Sequence, residues 1–493
     1  MNKPLRRIAF AAMVLIIALL CNATYVQVFE ADSLRADPRN QRVLLDEYSR
    51  QRGQISTGGL VLASSEPTAD RFKYLRQYPT SPQTYAPLTG YYSIQYGTTG
   101  IERAEDSVLN GSDDRLFGRR LFDLVSGRDP RGGNVTLTID PRVQQTAYDQ
   151  MTSKGYTGAV VALRPSTGAI LGMVSTPSFD PNPLASHDAK TRQDAWAALQ
   201  NDPKAPLTNR AISETYPPGS TFKVVLTAAA LAADKITPTT PVTAAPRITL
   251  PGTTTTLENY DGSTCGPGAT ASFAEAFARS CNTAFAELGI ATGTAALRSQ
   301  AEAFGFGTPP ADIPLPVATS EIGPIVDQAA LAQSSIGQRD VRATPLEMAE
   351  VAATVANGGA RMQPYLVAGL QAPDLSALGD PTQPKKLGQV MSSTTADTLT
   401  QLMIGAESHA GSGGEINGVQ IASKTGTAEH GESPKTTPPH TLYIAFAPAK
   451  DPQVAVAVLV ENGGNRGLAA VGASVAAPIG RAVIAAALQG VPR

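Results

Sequence analysis

The 493-residue chain is poor in the side chains that hold metal ions, with only three cysteines and four histidines. No Cys-x-x-Cys pair and no Cys/His cluster occurs, so we predict neither a zinc site nor a metal-dependent reaction. The formal net charge is only −2, and no run of lysine and arginine is long enough to follow a phosphate backbone. We therefore expect no metal, no cofactor and no nucleic acid partner.

Long apolar runs are also missing, with one exception near the amino terminus. There, Lys3, Arg6 and Arg7 precede an apolar stretch from Ile8 to Phe29. A membrane span needs about 20 such residues, and a basic flank remains in the cytoplasm. We predict an uncleaved anchor within residues 1–30, which places the rest of the chain outside the cytoplasm. A cleaved signal peptide is the alternative, although no small-x-small cleavage site follows the apolar stretch.

The remainder of the chain has the composition of a folded protein, with 42% hydrophobic and 17% charged residues. At this length we expect more than one domain. Residues 31–152 are mostly polar and turn-rich with strand-like pieces, and we predict a smaller β-rich domain there. Residues 153–493 begin with two strands, continue through helices and end with three strands and a helix. This order predicts an α+β domain whose two ends meet in one sheet.

Periodic apolar patterns predict the main helices of the second domain. The predicted helices are Ser220–Ala233, Phe273–Ile290, Thr294–Phe304, Pro345–Ala356 and Ala469–Leu488.

A serine and a lysine stand one helical turn apart where the first of these helices begins. In "TYPPGSTFKVVLTAAALAA", Ser220 and Lys223 follow the turn-forming residues 217–219. A serine hydroxyl is a weak nucleophile until a base takes its proton. Burial and a helix amino terminus both favour a neutral lysine that can act as this base. For an isolated Ser-x-x-Lys, the alternative is a helix-capping serine beside a solvated lysine.

Two further motifs accompany this pair. Ser280 and Asn282 form the only Ser-x-Asn, in "FARSCNTAF", and Lys424, Thr425 and Gly426 form the only Lys-Ser/Thr-Gly, in "IASKTGTAE". Taken alone, the first could be polar residues that interrupt a helix, and the second could be a strand end. Three unique motifs in this order point instead to one catalytic site.

The motif order is that of penicillin-binding proteins and class A β-lactamases. The sequence resembles the class B penicillin-binding proteins and is most similar to their actinobacterial A-type members. The resemblance covers nearly the whole chain, through "RGQI", "LTID", "GAVVALRPSTGAILGMVSTPSFDPN", "LTNRAISETYPPGSTFK", "SIGQRDVRATPLEMAEVAATVANGG" and "SKTGTAE". It implies a serine β-lactamase-like transpeptidase domain with a central antiparallel sheet flanked by helices. A smaller β-rich pedestal or dimerisation-like domain and one transmembrane helix would precede it.

The resemblance also implies a serine-type D,D-transpeptidase that cross-links peptidoglycan stem peptides. Ser220 would attack the carbonyl between the two terminal D-alanines, and Lys223 would take its proton. Ser280 would pass a proton towards the leaving amine. The backbone N–H groups of Ser220 and Thr427 would form the oxyanion hole.

The remaining motif residues are expected to hold the substrate. Asn282 would position the base and the substrate amide. Lys424 would polarise the Ser280 hydroxyl and, with the Thr425 and Thr427 hydroxyls, receive the substrate carboxylate. Thr425, Gly426 and Thr427 would lie along a strand edge to which an extended stem peptide can pair.

The implied partners follow from this chemistry. They are stem peptides ending in D-Ala-D-Ala, β-lactam antibiotics, the cytoplasmic membrane, a lipid II polymerase and other division proteins. The implied location is the cell membrane, crossed once, with the catalytic domain outside. A septal role is preferred to one in elongation.

Two other functions share the acylation chemistry or the fold. A hydrolase would use water as acceptor, but no Glu-x-x-x-Asn of the class A β-lactamase kind lies between Asn282 and Lys424. A non-enzymatic binder would be either a β-lactam sensor or a scaffold in a division complex that keeps the site as a relic. A sensor normally carries several membrane spans, whereas we predict one here.

Cys265 and Cys281 are the only cysteines outside the predicted anchor, which holds Cys21. Because disulfides persist outside the cytoplasm, we predict that they pair and brace the second motif from behind. The alternative is two buried thiols that never meet.

The segment His430–His440, "HGESPKTTPPH", suits neither helix nor strand and follows the third motif. We predict a mobile loop there, with a passive surface hairpin as the alternative.

Overall fold

The computed structural model of the protein describes residues 2–30, 48–127, 131–310, 313–412, 415–416, 418–431 and 433–489. The predicted α+β class is confirmed. A central antiparallel sheet flanked by helices follows a smaller, sheet-containing amino-terminal part and one long apolar helix.

The central sheet has five strands, in the spatial order Ala422–Ala428, His440–Ala447, Val454–Val460, Gly158–Leu163 and Ile170–Thr176. All neighbours are antiparallel, and Val458 pairs with Val160 where the last strand of the domain meets the first. The two ends of the domain therefore share one sheet, as the order of elements predicts.

Both faces of this sheet are covered, which explains why its strands read as continuous apolar runs. Val161 faces a core that includes the helix Pro345–Ala356. Its neighbour Val160 faces the opposite core, which includes the helices Pro141–Thr152 and Ala476–Leu488.

Further helices complete the domain, and the first two motifs lie among them. They are Asn182–Ala185, Ala189–Asn201, Lys223–Ala232, Phe273–Ala278, Asn282–Thr292, Thr294–Phe304, Gln328–Ser335 and Ser393–Glu407. Short two-stranded ribbons connect them: Pro241–Thr243 with Thr270–Ser272, Arg247–Thr249 with Thr256–Glu258, Ala360–Met362 with Lys386–Gln389, and Glu415–Ile416 with Val419–Gln420.

Two predicted helices differ from the observed ones. The single helix expected over Phe273–Ile290 is wrong, because the chain breaks into two helices at Ser280 and Cys281. The last helix begins at Ala476 rather than Ala469. Ahead of it, Gly472 packs so closely on the central sheet that an added Cβ would lie 2.5 Å from the Gly426 carbonyl oxygen.

The amino-terminal sheet has the strand order Val367–Gln371, Asn134–Leu137, Ile55–Thr57, Leu60–Pro67 and Tyr74–Gln77. Its first strand comes from much later in the chain and pairs antiparallel with Asn134–Leu137. A small ribbon, Tyr92–Ser93 with Gly97–Thr98, and the helices Pro82–Thr89, Gly100–Ala104, Asp106–Leu109 and Phe117–Val125 complete this part.

A buried ion network holds the amino-terminal part together. Arg52, from "RGQI", and Arg76 each donate through Nε to the fully buried Glu102 carboxylate at 2.6 Å. The Tyr78 hydroxyl donates to the same carboxylate at 3.2 Å. Burial alone would raise the pKa of Glu102, but the two guanidinium groups outweigh it and hold that pKa below its usual value.

The amino-terminal helix Asn2–Val28 is long and apolar enough over Lys3–Val28 to cross a membrane, and no other described helix is. Its side chains are exposed along its length, as expected for a helix that packs against lipid rather than against the rest of the chain.

Candidate active site

Ser220 lies in a single 3-10 turn, Gly219–Phe222, that leads directly into the helix Lys223–Ala232. Gly219 has a φ of 52°, and a Cβ at this position would lie 2.8 Å from the Thr427 carbonyl oxygen. The turn is therefore pressed against the strand that bears the third motif. Ser220 is partly exposed, so its hydroxyl is accessible from the solvent.

Lys223 follows on the same turn but is completely buried. Its Nζ donates to the Ser280 carbonyl oxygen at 2.7 Å and to Asn282 Oδ1 at 2.8 Å, and it lies 3.3 Å from Ser280 Oγ. Burial and the nearby charge of Lys424 hold its pKa well below the usual value. A neutral amine is the form that a base requires. The described structure shows no hydrogen bond between Lys223 and Ser220.

Ser280 sits in the break between the two helices of the second motif. Its φ is 61°, in the left-handed region that non-glycine residues rarely adopt. The Ser280 N–H donates to the Phe277 carbonyl and the Cys281 N–H to the Ala276 carbonyl, which is the Schellman ending of a helix with serine in the place of glycine. This conformation directs the Ser280 hydroxyl to the two lysines.

Lys424 approaches the same hydroxyl from the central sheet. Its Nζ donates to Ser280 Oγ at 2.8 Å and to the Thr425 carbonyl oxygen at 3.1 Å. Burial lowers the pKa of Lys424 to about 7. The Ser280 hydroxyl thus lies between two buried amines, one from the helix Lys223–Ala232 and one from the central sheet.

Asn282 begins the next helix and holds Lys223 in place. While its Oδ1 accepts from Lys223, its Nδ2 donates to the Glu258 carbonyl oxygen at 2.9 Å. The side-chain amide is therefore fixed at both ends and orients the lysine amine.

The strand Ala422–Ala428 is the outer strand of the central sheet, with a neighbouring strand on one side only among the described residues. Thr425 and Thr427 are partly exposed along it, and Gly426 is buried. A Cβ at Gly426 would lie 3.0 Å from Thr221 Cγ2, so glycine permits the close approach of the serine turn.

The predicted disulfide between Cys265 and Cys281 is present, with the two Cα atoms 5.9 Å apart. Both cysteines are buried, and Cys281 lies between the two motif residues. Asn259 adds a second brace, because it accepts from the Thr283 N–H at 3.0 Å and donates to Cys265 Sγ at 3.2 Å. The second motif is thus supported from behind.

Sequence reasoning missed several residues that shape the site. Phe285 and Phe277 lie beneath the amines, with ring centroids 5.1 Å from Lys223 Nζ and 5.9 Å from Lys424 Nζ. Gly337 accepts from the Gly219 N–H at 2.9 Å and so fixes the serine turn. An apolar residue or a glycine carries no sequence signal that separates this role from ordinary packing.

The segment His430–His440 lies just beyond the third motif, and residue 432 falls outside the described part. Its two histidine rings stack with centroids 3.7 Å apart and planes within 2°. Burial, followed by the charges of His430 and Arg342, lowers the pKa of His440 to about 3. The mobility of this loop stays a prediction.

Comparison with known proteins decides the family. Residues 158–485 match the family described as the penicillin binding protein transpeptidase domain. The chain belongs to this family. Residues 52–135 match a second family, the penicillin binding protein A dimerisation domain.

Similar proteins cover the chain from end to end. The chain is 63% identical to the peptidoglycan D,D-transpeptidase PbpA of Mycolicibacterium smegmatis, over 99% of each chain. It is 61% identical to the protein of the same name from Mycobacterium tuberculosis, over 100% of each. A solved M. tuberculosis penicillin-binding protein A, described as a ceftriaxone acyl-enzyme complex, superposes with a TM-score of 0.88 at 60% identity, over 90% of this chain and 100% of that one.

These findings confirm the family resemblance and the predicted enzyme class. The protein is a penicillin-binding D,D-transpeptidase with an amino-terminal domain of the dimerisation type.

Proposed function

We propose that this transpeptidase cross-links peptidoglycan through an acyl-enzyme on Ser220. The observation that supports it most strongly is the Ser280 hydroxyl, held 2.8 Å from Lys424 Nζ and 3.3 Å from Lys223 Nζ beside the turn that carries Ser220. A partly exposed nucleophile, a buried neutral base and a second hydroxyl in contact with both amines are the parts that serine acyl transfer requires.

In the proposed acylation step, the Lys223 amine takes the Ser220 proton while Ser220 Oγ bonds to the penultimate D-alanine carbonyl carbon. The backbone N–H groups of Ser220 and Thr427 stabilise the oxyanion. The carbon–nitrogen bond then breaks, and the proton held by Lys223 passes through the Ser280 hydroxyl to the leaving D-alanine amine.

In the second step, the amine of a neighbouring stem peptide attacks the Ser220 ester. The new amide forms, the ester bond breaks, and the amine's proton returns to Ser220 Oγ along the same path. The substrate carboxylate lies against Lys424 and the hydroxyls of Thr425 and Thr427, with the peptide backbone paired along Gly426.

A β-lactam would enter by the first step alone. Its ring amide takes the place of the D-alanyl bond, and the leaving nitrogen stays tethered to the acyl group and blocks the acceptor. Three solved structures of one relative, the M. tuberculosis penicillin-binding protein A, are described as acyl-enzyme complexes with ceftriaxone, imipenem and penicillin G and support this assignment.

The proposed organisation has an anchor at residues 1–30, an amino-terminal domain at 31–152 and a transpeptidase domain at 153–493. The basic residues before the apolar helix favour a cytoplasmic amino terminus. A disulfide in the catalytic domain suits an oxidising compartment outside the cytoplasm. We further propose a lipid II polymerase and other division proteins as partners, with a role at the septum.

The test is the reaction itself. The full chain is incubated with a stem peptide ending in D-Ala-D-Ala, and the released D-alanine and the cross-linked product are measured with and without an acceptor amine. We expect a cross-linked product that Ser220→Ala abolishes. Release of D-alanine with no cross-linked product at any acceptor concentration would identify a hydrolase.

A further inference from the structure

The helix Phe117–Val125 exposes apolar side chains and buries a carboxylate, which is the reverse of the usual pattern on a soluble domain. Its apolar side chains Leu121, Phe122 and Val125 are 51%, 62% and 81% exposed, whereas Asp123 is only 9% exposed. At the helical angle of 100° per residue, the three apolar side chains share one face, which we term the apolar patch. The helix thus turns a carboxylate inward and its apolar face outward.

An ion pair connects this helix to the sheet. Arg119, one turn before Phe122 and at the border of the apolar patch, pairs with Asp374 in the turn after the strand Val367–Gln371. The next residue, Leu375, is itself 66% exposed and has a φ of 70°, which is unusual for a bulky side chain. An exposed leucine therefore lies beside the helix as well.

The patch helix lies at the end of the amino-terminal sheet at which the chain arrives from the anchor. Asp374, the partner of Arg119, follows the strand Val367–Gln371, whose last residue pairs with Asn134 at the start of the neighbouring strand. Gln51 precedes the strand Ile55–Thr57, which runs parallel to that neighbouring strand, and its carbonyl oxygen accepts from the Gly132 N–H at 2.9 Å. The connection to the membrane and the patch helix therefore share one end of the sheet.

We propose that the apolar patch docks onto the surface of the bilayer that the anchor spans. An amphipathic helix with large apolar residues on one face lies in a membrane interface with that face buried about 5–10 Å. The anchor keeps this helix close to the bilayer, so that even a weak interaction is populated by its high effective concentration.

A second copy of the chain fits the apolar patch less well than a bilayer does. The nine-residue helix is about 13.5 Å long. A stable protein interface buries about 800 Å² per partner, which one face of so short a helix does not supply. Insertion into a bilayer does not require a surface of complementary shape, because any apolar helix face can be buried among the lipids.

Docking would give the protein two points of contact with the membrane instead of one. A single span would leave the orientation of the domains relative to the bilayer free. With the patch inserted, the amino-terminal sheet is held at a set orientation, and the catalytic cleft points in one direction relative to the bilayer.

The test uses the full chain in nanodiscs of phosphatidylcholine and phosphatidylglycerol. In a Cys21→Ser background, Val125→Cys is labelled with an environment-sensitive fluorophore, while Cys265 and Cys281 stay oxidised. Lipids with a nitroxide near the top of the acyl chain act as quenchers. Matched controls are Val326→Cys and Leu468→Cys, whose native side chains are 72% and 59% exposed on the transpeptidase domain.

We expect the Val125→Cys label to be quenched at least about threefold more strongly than either control. Adding Phe122→Ser should reduce that quenching, and penicillin acylation of every variant serves as the check that it is folded. Equal quenching at all three positions would overturn the proposal. A blue-shifted label that the lipid nitroxides do not quench would also overturn it, in favour of cover by residues 31–47 or by a second copy.

Discussion

Lys424 Nζ lies 2.8 Å from Ser280 Oγ, although 144 positions separate the two residues in the sequence. Lys424 comes from the central sheet and Ser280 from a break between two helices, so this contact joins the sheet to the helical layer. Lys223 approaches Ser280 from a third element. The proposed mechanism depends on these three side chains acting together.

Replacing Lys223 by arginine should lower the rate of acylation by about 100-fold or more, because a guanidinium keeps the charge but does not accept a proton. The measurement is the acylation rate constant with a chromogenic cephalosporin, determined separately from the dissociation constant. Ser280→Ala is the comparison, and it should also slow acylation. A loss confined to the dissociation constant would mean that Lys223 only positions the substrate.

The pH dependence of acylation should reflect the protonation state of Lys424. Because burial lowers its pKa to about 7, its charge is present below that pH and is lost above it. The second-order acylation constant, which reflects the free enzyme, should therefore fall as the pH rises through about 7.

Lys424→Arg tests the assignment, since an arginine stays charged. This variant should acylate more slowly but without the decline near neutral pH. A decline that persists unchanged in the variant would assign it to another group.

Removing the disulfide should destabilise the catalytic domain. In the chain-entropy model, closing a loop of about 15 residues is worth about 3 kcal/mol, and the two cysteines are 16 positions apart. Cys265→Ser should lower the melting temperature, whereas Cys21→Ser in the anchor should leave it unchanged. If acylation by penicillin is unaffected in folded Cys265→Ser, the bond is structural only.

Glu102 should be essential to the stability of the amino-terminal part. Removing one partner of a buried ion pair costs about 3–5 kcal/mol, because the remaining charges are buried and uncompensated. Here Glu102→Gln leaves the buried Arg76 without an ion-pair partner among the described residues, while Arg52 keeps its pair with Asp106 at 2.6 Å. The control is Glu275→Gln, which removes an exposed pair with Arg279 and should change the free energy of unfolding by less than about 1 kcal/mol. If both substitutions changed the free energy of unfolding by similar amounts, the stabilising role of the buried ion network would be contradicted.

The sequence predicts well what depends on local pattern. The strand-rich ends of the catalytic domain and the helices Thr294–Phe304 and Pro345–Ala356 are where periodicity places them. The turn before Ser220 and the strand that carries Lys424 are predicted by their neighbours in the sequence, whereas the helix break at Ser280 is not. No local pattern shows that the three motifs come together in space. That expectation came from the family resemblance.

Long-range contacts account for the differences. The break at Ser280 lies inside a sequence with good helix formers on both sides. Local hydrogen bonds of the Ser280 and Cys281 N–H groups end the first helix, and Lys223 and Lys424, which are distant in the sequence, also bind Ser280. The strand Val367–Gln371 joins the amino-terminal sheet although it lies far from the other strands in the sequence. Strand pairings over such distances are determined by tertiary packing, and the intrinsic secondary-structure propensity of the residues does not predict them.

The most direct test of the account is the site of covalent attachment. The full chain is reacted with labelled penicillin G, digested and mapped by mass spectrometry. We predict a single penicilloyl adduct on Ser220, no adduct in Ser220→Ala, and a slower adduct on the same residue in Ser280→Ala. An adduct on Ser280 or on any other serine, or undiminished labelling of Ser220→Ala, would contradict the proposed mechanism.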